Sequence, residues 1–209
     1  MGVHLTWIGH ASFRLAGERV VYIDPWKIDS APRDGDLVIV SHGHHDHFSA
    51  EDVEKVAADN GEVIAPADVV ADFGRGRAAR PGEGFAVAGV EVQTVAAYNP
   101  AKTFHPRSSG GLGVIVTMDA ARVYYAGDTD LIDEMSELGE IDVALLPVGG
   151  TYTMDAAEAA EACRRIAPKL AIGYHWGDIV GGRADADAFA AAAPCEVKLL
   201  LPGESVDVG

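Results

Sequence analysis

The stretch Val38-Ile39-Val40-Ser41-His42-Gly43-His44-His45-Asp46-His47 joins an apolar β-branched run directly to a polar turn. That turn holds four histidines and one aspartate in six positions. The run from Leu37 to Val40 reads as a strand buried on both faces, because it does not alternate with polar residues. Imidazole and carboxylate are common ligands for zinc and similar divalent ions. A histidine is largely neutral near pH 7 and offers its lone pair at little cost. Packing gives no reason to gather so many of these side chains in one loop.

Working outward, the same scheme recurs along the chain. Phe13-Arg14-Leu15 and Val20-Val21-Tyr22-Ile23 flank a turn and predict a hairpin; Asp24-Pro25 ends it. Ser49 opens a helix with acids in its first turn, and Val53, Val56 and Ala57 keep a helical spacing up to a stop at Asn60-Gly61. Val63 to Ala65 reads as a short strand, and Pro66 starts a helix to Phe73. Residues 85–95 and 114–125 each form a hairpin, separated by an irregular loop from Tyr98 to Gly113. Long loops in compact domains are often functional. Leu131 to Leu138 reads as a short helix and Asp142 to Pro147 as a buried strand. Thr153 reads as the N-cap of a helix from Met154 to Ala167. Leu170 to Tyr174 is a strand that delivers His175, Asp185 to Ala192 a helix, and Val197 to Leu201 a last strand. Hairpins followed by helices in each half predict two packed sheets with helices outside.

With 209 residues and 48% hydrophobic side chains, the chain has enough apolar surface for one domain spanning residues 1–209. The net charge of -16 repels nucleic-acid phosphates and points away from a DNA or RNA partner. No apolar run approaches the roughly 20 residues of a membrane span, and the N-terminus lacks the pattern of a signal peptide. Cys163 and Cys195 are expected to be reduced packing residues, which suits a cytoplasmic location. The expected partner is a small-molecule substrate, and a homo-oligomer is compatible with the sequence. Arg75, Arg77 and Arg80 are expected on a solvated loop.

His42, Asp128 and His175 each follow an apolar strand directly. Strand ends at one sheet edge can converge, so distant segments can build one site. With His44, Asp46 and His47 they make six N/O donors, enough for a dinuclear centre. Such a centre lowers the pKa of its water and polarises a carbonyl or phosphoryl oxygen. His45 is expected to point away from the His42/His44 face.

The motif His42-x-His44-x-Asp46-His47 resembles the HxHxDH signature of the metallo-β-lactamase superfamily. Trp7-Ile8-Gly9-His10-Ala11-Ser12-Phe13, Ile23-Asp24-Pro25, Ala126-Gly127-Asp128-Thr129, Leu146-Pro147-Val148-Gly149-Gly150 and Tyr174-His175-Trp176 look like the branch with predicted metal-dependent hydrolases and L-ascorbate-6-phosphate lactonase. The resemblance implies an α+β fold, the four-layer αββα sandwich, with the site at one edge of the two sheets. It implies two divalent ions, zinc or else manganese. His42 and His44 would hold the first, Asp46, His47 and His175 the second, and Asp128 would bridge. Asp46 would also act in proton transfer. His10 either orients the site or the substrate, or only satisfies a buried backbone group. The family's third histidine for the first ion falls where this chain has Tyr98-Asn99. Either Asn99 takes that place, or His105 reaches in from the loop, or the first ion is held weakly. The implied activity is hydrolysis of a small ester, lactone or phosphodiester. The alternatives are a non-catalytic metal-binding or sensing protein on the same scaffold, and, further off, a nuclease.

Overall fold

Two seven-stranded sheets carry the chain in a computed structural model that describes residues 2–209. The first sheet takes β1 (Val3–Gly9), β2 (Ser12–Ala16), β3 (Val20–Ile23), β4 (Gly35–Ile39), β5 (Ala57–Ala65) and β6 (Arg77–Ala78) in spatial order. Helices α1 (Ala50–Val56) and α2 (Ala67–Phe73) precede and follow β5. The second sheet takes β7 (Gly84–Val87), β8 (Val90–Ala96), β9 (Leu112–Met118), β10 (Ala121–Tyr125), β11 (Val143–Pro147), β12 (Leu170–Tyr174) and β13 (Glu196–Val197). Helices α3 (Ala156–Ile166) and α4 (Arg183–Ala192) lie on either side of β12 in sequence. A last strand, β14 (Ser205–Val208), returns to pair antiparallel with β1. In both sheets antiparallel strands come first and parallel ones follow, which requires crossovers; α1 to α4 lie in four of them, while β3 reaches β4 through a loop.

The side-chain period of two explains the opening run. Leu37 and Ile39 join the core between the sheets, while Val38 and Val40 pack under α1 and α2 with Val53, Val56 and Val69. Val21 and Ile23 against Tyr22, and Ile64 against Val63 and Ala65, divide in the same way. On the other side, Ala159, Ala160, Cys163 and Ile166 of α3 and Phe189 of α4 pack on the second sheet. The four layers are therefore helices, sheet, sheet and helices, the expected αββα sandwich.

Several boundaries differ from the sequence reading. Helix α1 ends at Val56, and Asn60-Gly61 lies inside β5, where the register against β4 shifts. The backbones approach so closely there that a Cβ on Gly61 would meet the Gly35 carbonyl at 2.4 Å. The glycine marks a bulge, not a helix stop. Thr153 is not the cap of α3; Asp155 is, with its carboxylate accepting from the Glu158 N–H and Glu158 accepting from the Asp155 N–H. The segment before β11 winds only as a 3-10 turn over Asp133–Glu137. α4 begins two residues early, and β13 is confined to two residues, short of the expected strand through Leu201. His4 pairs with the exposed Asp207 across β1 and β14, Arg75 with Glu54, and the free thiols Cys163 and Cys195 pack in or against the core.

Asp155→Ala removes the side-chain acceptor of the α3 capping box and leaves the Asp155 N–H to Glu158. The expected loss is about 1 kcal/mol in urea unfolding, with the fold retained by circular dichroism.

Candidate metal centre

The centre forms where strands from both sheets end. After β4 the chain turns at once: the N–H groups of His47 and Phe48 both donate to the His44 carbonyl. This turn aims His42, His44, Asp46 and His47 to one side and leaves His45 outside, with its side chain 82% exposed. Asp24, at the end of β3, braces the turn. Its carboxylate accepts from the Ser41 N–H at 2.6 Å, the Ser41 hydroxyl at 2.5 Å and the Tyr125 hydroxyl at 2.6 Å. It also accepts from His47 Nδ1 at 2.7 Å, which fixes the tautomer and turns the Nε2 lone pair inward.

Asp128 arrives from the end of β10 through Gly127, whose φ is +68°. A Cβ at Gly127 would lie 2.5 Å from the Leu112 carbonyl, so only glycine lets the chain pass there. His175 arrives from β12 and His10 from β1, with φ of 62° and 46°; the His175 N–H donates to the His10 carbonyl at 3.0 Å. Asp24 also lies in this left-handed region, at 46°. Backbone conformations of this kind cost energy and concentrate at functional sites.

Two donor sets result. His42 Nε2, His44 Nδ1 and His105 Nε2 form one, with His44 Nδ1 3.1 Å from each of the other two. Asp46, His47 and His175 form the other, with His10 beside Asp46. Asp128 lies between them: its carboxylate is 3.2 Å from His47 Nε2, 3.2 Å from His175 Nε2 and 3.4 Å from His105 Nε2. Ligands on a tetrahedral zinc stand about 3.3 Å apart, so these spacings suit shared ions. His47 Nε2, His175 Nε2 and one Asp128 oxygen are buried without a hydrogen-bond partner among the described residues. Buried polar atoms are rarely left so, and a divalent ion would satisfy all three.

The charges agree. Burial, followed by the field of His47, holds the His42 pKa well below the usual histidine range and keeps its ring neutral. Burial opposes charge on His47, but Asp128 and Asp24 outweigh it and raise its pKa well above normal. Burial likewise opposes an ionised Asp128, yet His47 and His175 hold its carboxyl well below the usual range. For Asp46, burial is again the largest influence and is overcome by the hydrogen bond from His10 at 3.0 Å and by His47. The carboxylates thus stay ionised, and positive charge is required among them.

Of the two sequence alternatives for the third ligand, the loop histidine is the one that converges. Asn99 does not face the cluster. Its carbonyl accepts from the N–H and Nδ1 of His105, both at 3.0 Å, and its amide donates to the Tyr152 carbonyl at 3.0 Å. With Nδ1 so engaged, His105 presents Nε2 to the cluster. Ser41, Tyr125 and the apolar rim formed by Phe104 and Ile179 have no signal in the sequence; their roles come only from the folded contacts.

The sequence profile of the beta-lactamase superfamily domain matches residues 4–175. The chain belongs to this superfamily. It is 36% identical to a UPF0173 metal-dependent hydrolase of Methanoregula boonei, over 99% of this chain and 98% of that protein. It is 35% identical to another from Aeropyrum pernix, over 97% and 96%. Among solved structures, Igni18, a metallo hydrolase from Ignicoccus hospitalis, superposes with a TM-score of 0.81 at 26% identity, over 99% and 98% of the two chains. YhfI of Bacillus subtilis, a metallo-beta-lactamase fold protein, superposes with a TM-score of 0.78 at 15% identity, over 99% and 100%, and shows the shared fold. The superfamily member described here is a metal-dependent hydrolase. No helix of the described residues is long and apolar enough to cross a membrane.

Asn99→Ala leaves the donors in place but frees the His105 ring to rotate. Metal affinity is expected to fall about 10- to 100-fold, read by competition with a chromogenic chelator, with unchanged far-UV circular dichroism.

Proposed function

We propose that the chain hydrolyses a small ester or lactone at a centre of two divalent ions, zinc in preference to manganese. His42, His44 and His105 would hold the first ion, Asp46, His47 and His175 the second, and Asp128 would bridge them. The imidazole-rich first set favours zinc over manganese. Bound there, the ions supply an acidified water and polarise the oxygen of the scissile group.

The observation that carries the substrate class is the cavity over these donors. It has a volume of about 230 Å³ and is lined by His44, His45, Asp46, His105 and Asp128 together with Phe104, Tyr152 and Ile179. Phe104 and Ile179 are large apolar side chains left 45% and 40% exposed, and Phe104 packs edge-on against Tyr152 at 4.7 Å. No lysine or arginine lines this cavity. An uncharged acyl group is matched by that rim, whereas a phosphodiester would meet no lysine or arginine among the described residues. The same absence counts against a nuclease.

The residues divide the remaining work. Asp46 faces the cavity and is the carboxylate placed to accept the proton of the attacking water and return it to the leaving oxygen. His10 fixes Asp46 from behind through their hydrogen bond. Asp24 orients His47, and Asn99 orients His105. A purely metal-sensing role drew its support from the missing histidine at Asn99, and the convergence of His105 removes that support.

Metal analysis after reconstitution with zinc is expected to give two ions per chain; fewer than one would overturn the reading. His47→Ala is expected to lower kcat/KM by about a thousandfold or more while the fold persists. In a substrate panel, lactones and short esters should be turned over at least about a hundredfold faster than bis(p-nitrophenyl) phosphate, and the reverse order would reject the acyl assignment.

A further inference from the structure

A second cavity, of about 280 Å³, lies behind His10. Its walls include Trp7, Trp26 and Trp176, all three tryptophans of the chain, together with His10, Lys27 and Asp178. Trp7 and Trp176 stack obliquely with ring centres 5.1 Å apart, and Trp26 stands edge-on to His10 at 5.3 Å. The indole N–H groups of Trp7 and Trp176 are engaged by the carbonyls of His10 and Gly173, and the fully buried Trp7 backs the Trp176 ring in the apolar wall. Lys27 and Asp178 come from two separate loops and pair at 2.6 Å, with the Lys27 ammonium 4.1 Å from the centre of the Trp26 ring.

One further observation marks this cavity as built for a ligand. The His10 side chain is 1% exposed, and its Nδ1 has no hydrogen-bond partner among the described residues, although Nε2 is held by Asp46. The backbone of its walls is also unusual: Gly9, His10, Lys27 and Gly177 all have positive φ, at 152°, 46°, 55° and 83°. His10 takes this conformation in the two-residue turn between the paired strands β1 and β2, and Lys27 takes it in the loop after β3.

The cavity adjoins the metal centre. His10 is common to the wall and to the Asp46 contact, Trp26 meets His45 at 6.3 Å, and Asp178 precedes Ile179 on the rim of the other cavity. We infer that the tryptophan-lined cavity is a second ligand subsite, which takes an uncharged planar aromatic ring carried by the substrate of the neighbouring centre. The ring is uncharged because Lys27 and Asp178, the charged groups of opposite sign in the wall, already neutralise each other. It is planar because the Trp26 and Trp176 rings offer flat faces. The link to the substrate rests on the proposed hydrolytic reading; the binding site itself does not.

The test is a titration of zinc-loaded, 15N-tryptophan-labelled protein with benzamide. The three tryptophans give three indole N–H signals in a two-dimensional NMR spectrum. The expected result is saturable movement of the Trp26 and Trp176 signals with a Kd of about 1 mM or tighter. Trp26→Leu should weaken this at least tenfold. Pro202→Trp, on an exposed turn that lines the cavity, should block it even if Trp26→Leu fails to fold. Absence of saturable movement, or equal affinity in the Pro202→Trp protein, overturns the subsite. Phenyl acetate and ethyl acetate then read the connection to the reaction: Trp26→Leu should raise KM for the phenyl ester alone, with kcat retained. An equal rise for both esters overturns that connection. Saturable benzamide binding in a protein that hydrolyses neither ester upholds the subsite and overturns the hydrolytic reading.

Discussion

Three carboxylates, Asp24, Asp46 and Asp128, are buried to within 9% exposure, and no lysine or arginine pairs with any of them among the described residues. Burying a charge without a partner is costly. Here the partners are histidines, which carry charge only when protonated. The structure therefore concentrates negative charge where positive charge must be brought in. A divalent cation meets that need better than a proton, because one ion can serve several donors at once. Each histidine with a fixed outer hydrogen bond is turned so that its free lone pair faces this charge, as His47 is by Asp24 and His105 by Asn99.

The fold supplies this arrangement through its two-sheet symmetry. The first sheet contributes the turn after β4, and the second contributes Asp128 after β10 and His175 after β12. Strand register fixes each end within the width of a hydrogen bond, and the core between the sheets holds the two edges together. Asp24 spans the junction, since it accepts from Ser41 on the first sheet and from Tyr125 on the second. The same carboxylate thus shapes the metal turn and locks one sheet to the other.

The sequence carries the centre more clearly than it carries the walls. His42, His44, Asp46 and His47 lie in one short run, and Asp128 and His175 follow apolar strands, so local pattern is enough to find them. His105 stands in an irregular loop, and its choice over Asn99 depends on a hydrogen bond between the two that no spacing encodes. Helix α1 and strand β5 illustrate a different limit. Val53, Val56 and Ala57 fit a helix by period, but tertiary pairing of Ala57 with Gly35 draws that residue into the sheet. The capping of α3 by Asp155 over Thr153 is a choice between two competent residues that only the path of the preceding loop decides. The cavities gather residues from segments far apart in the chain, such as Trp7, Trp26 and Trp176, and so have no local signature.

The return of β14 to β1 has a consequence for how the chain is made. Residues 205–208 pair with residues 3–6, and Trp7 exchanges backbone hydrogen bonds with Gly203 and Glu204. During synthesis β1 to β6 emerge long before β14, so the outer edge of β1 waits unpaired until β14 has left the ribosome. An unpaired edge of this kind invites association with other chains. Contacts at this sequence separation also slow folding. The nascent protein is therefore vulnerable to misassembly at β1 until β14, far along the chain, has been translated.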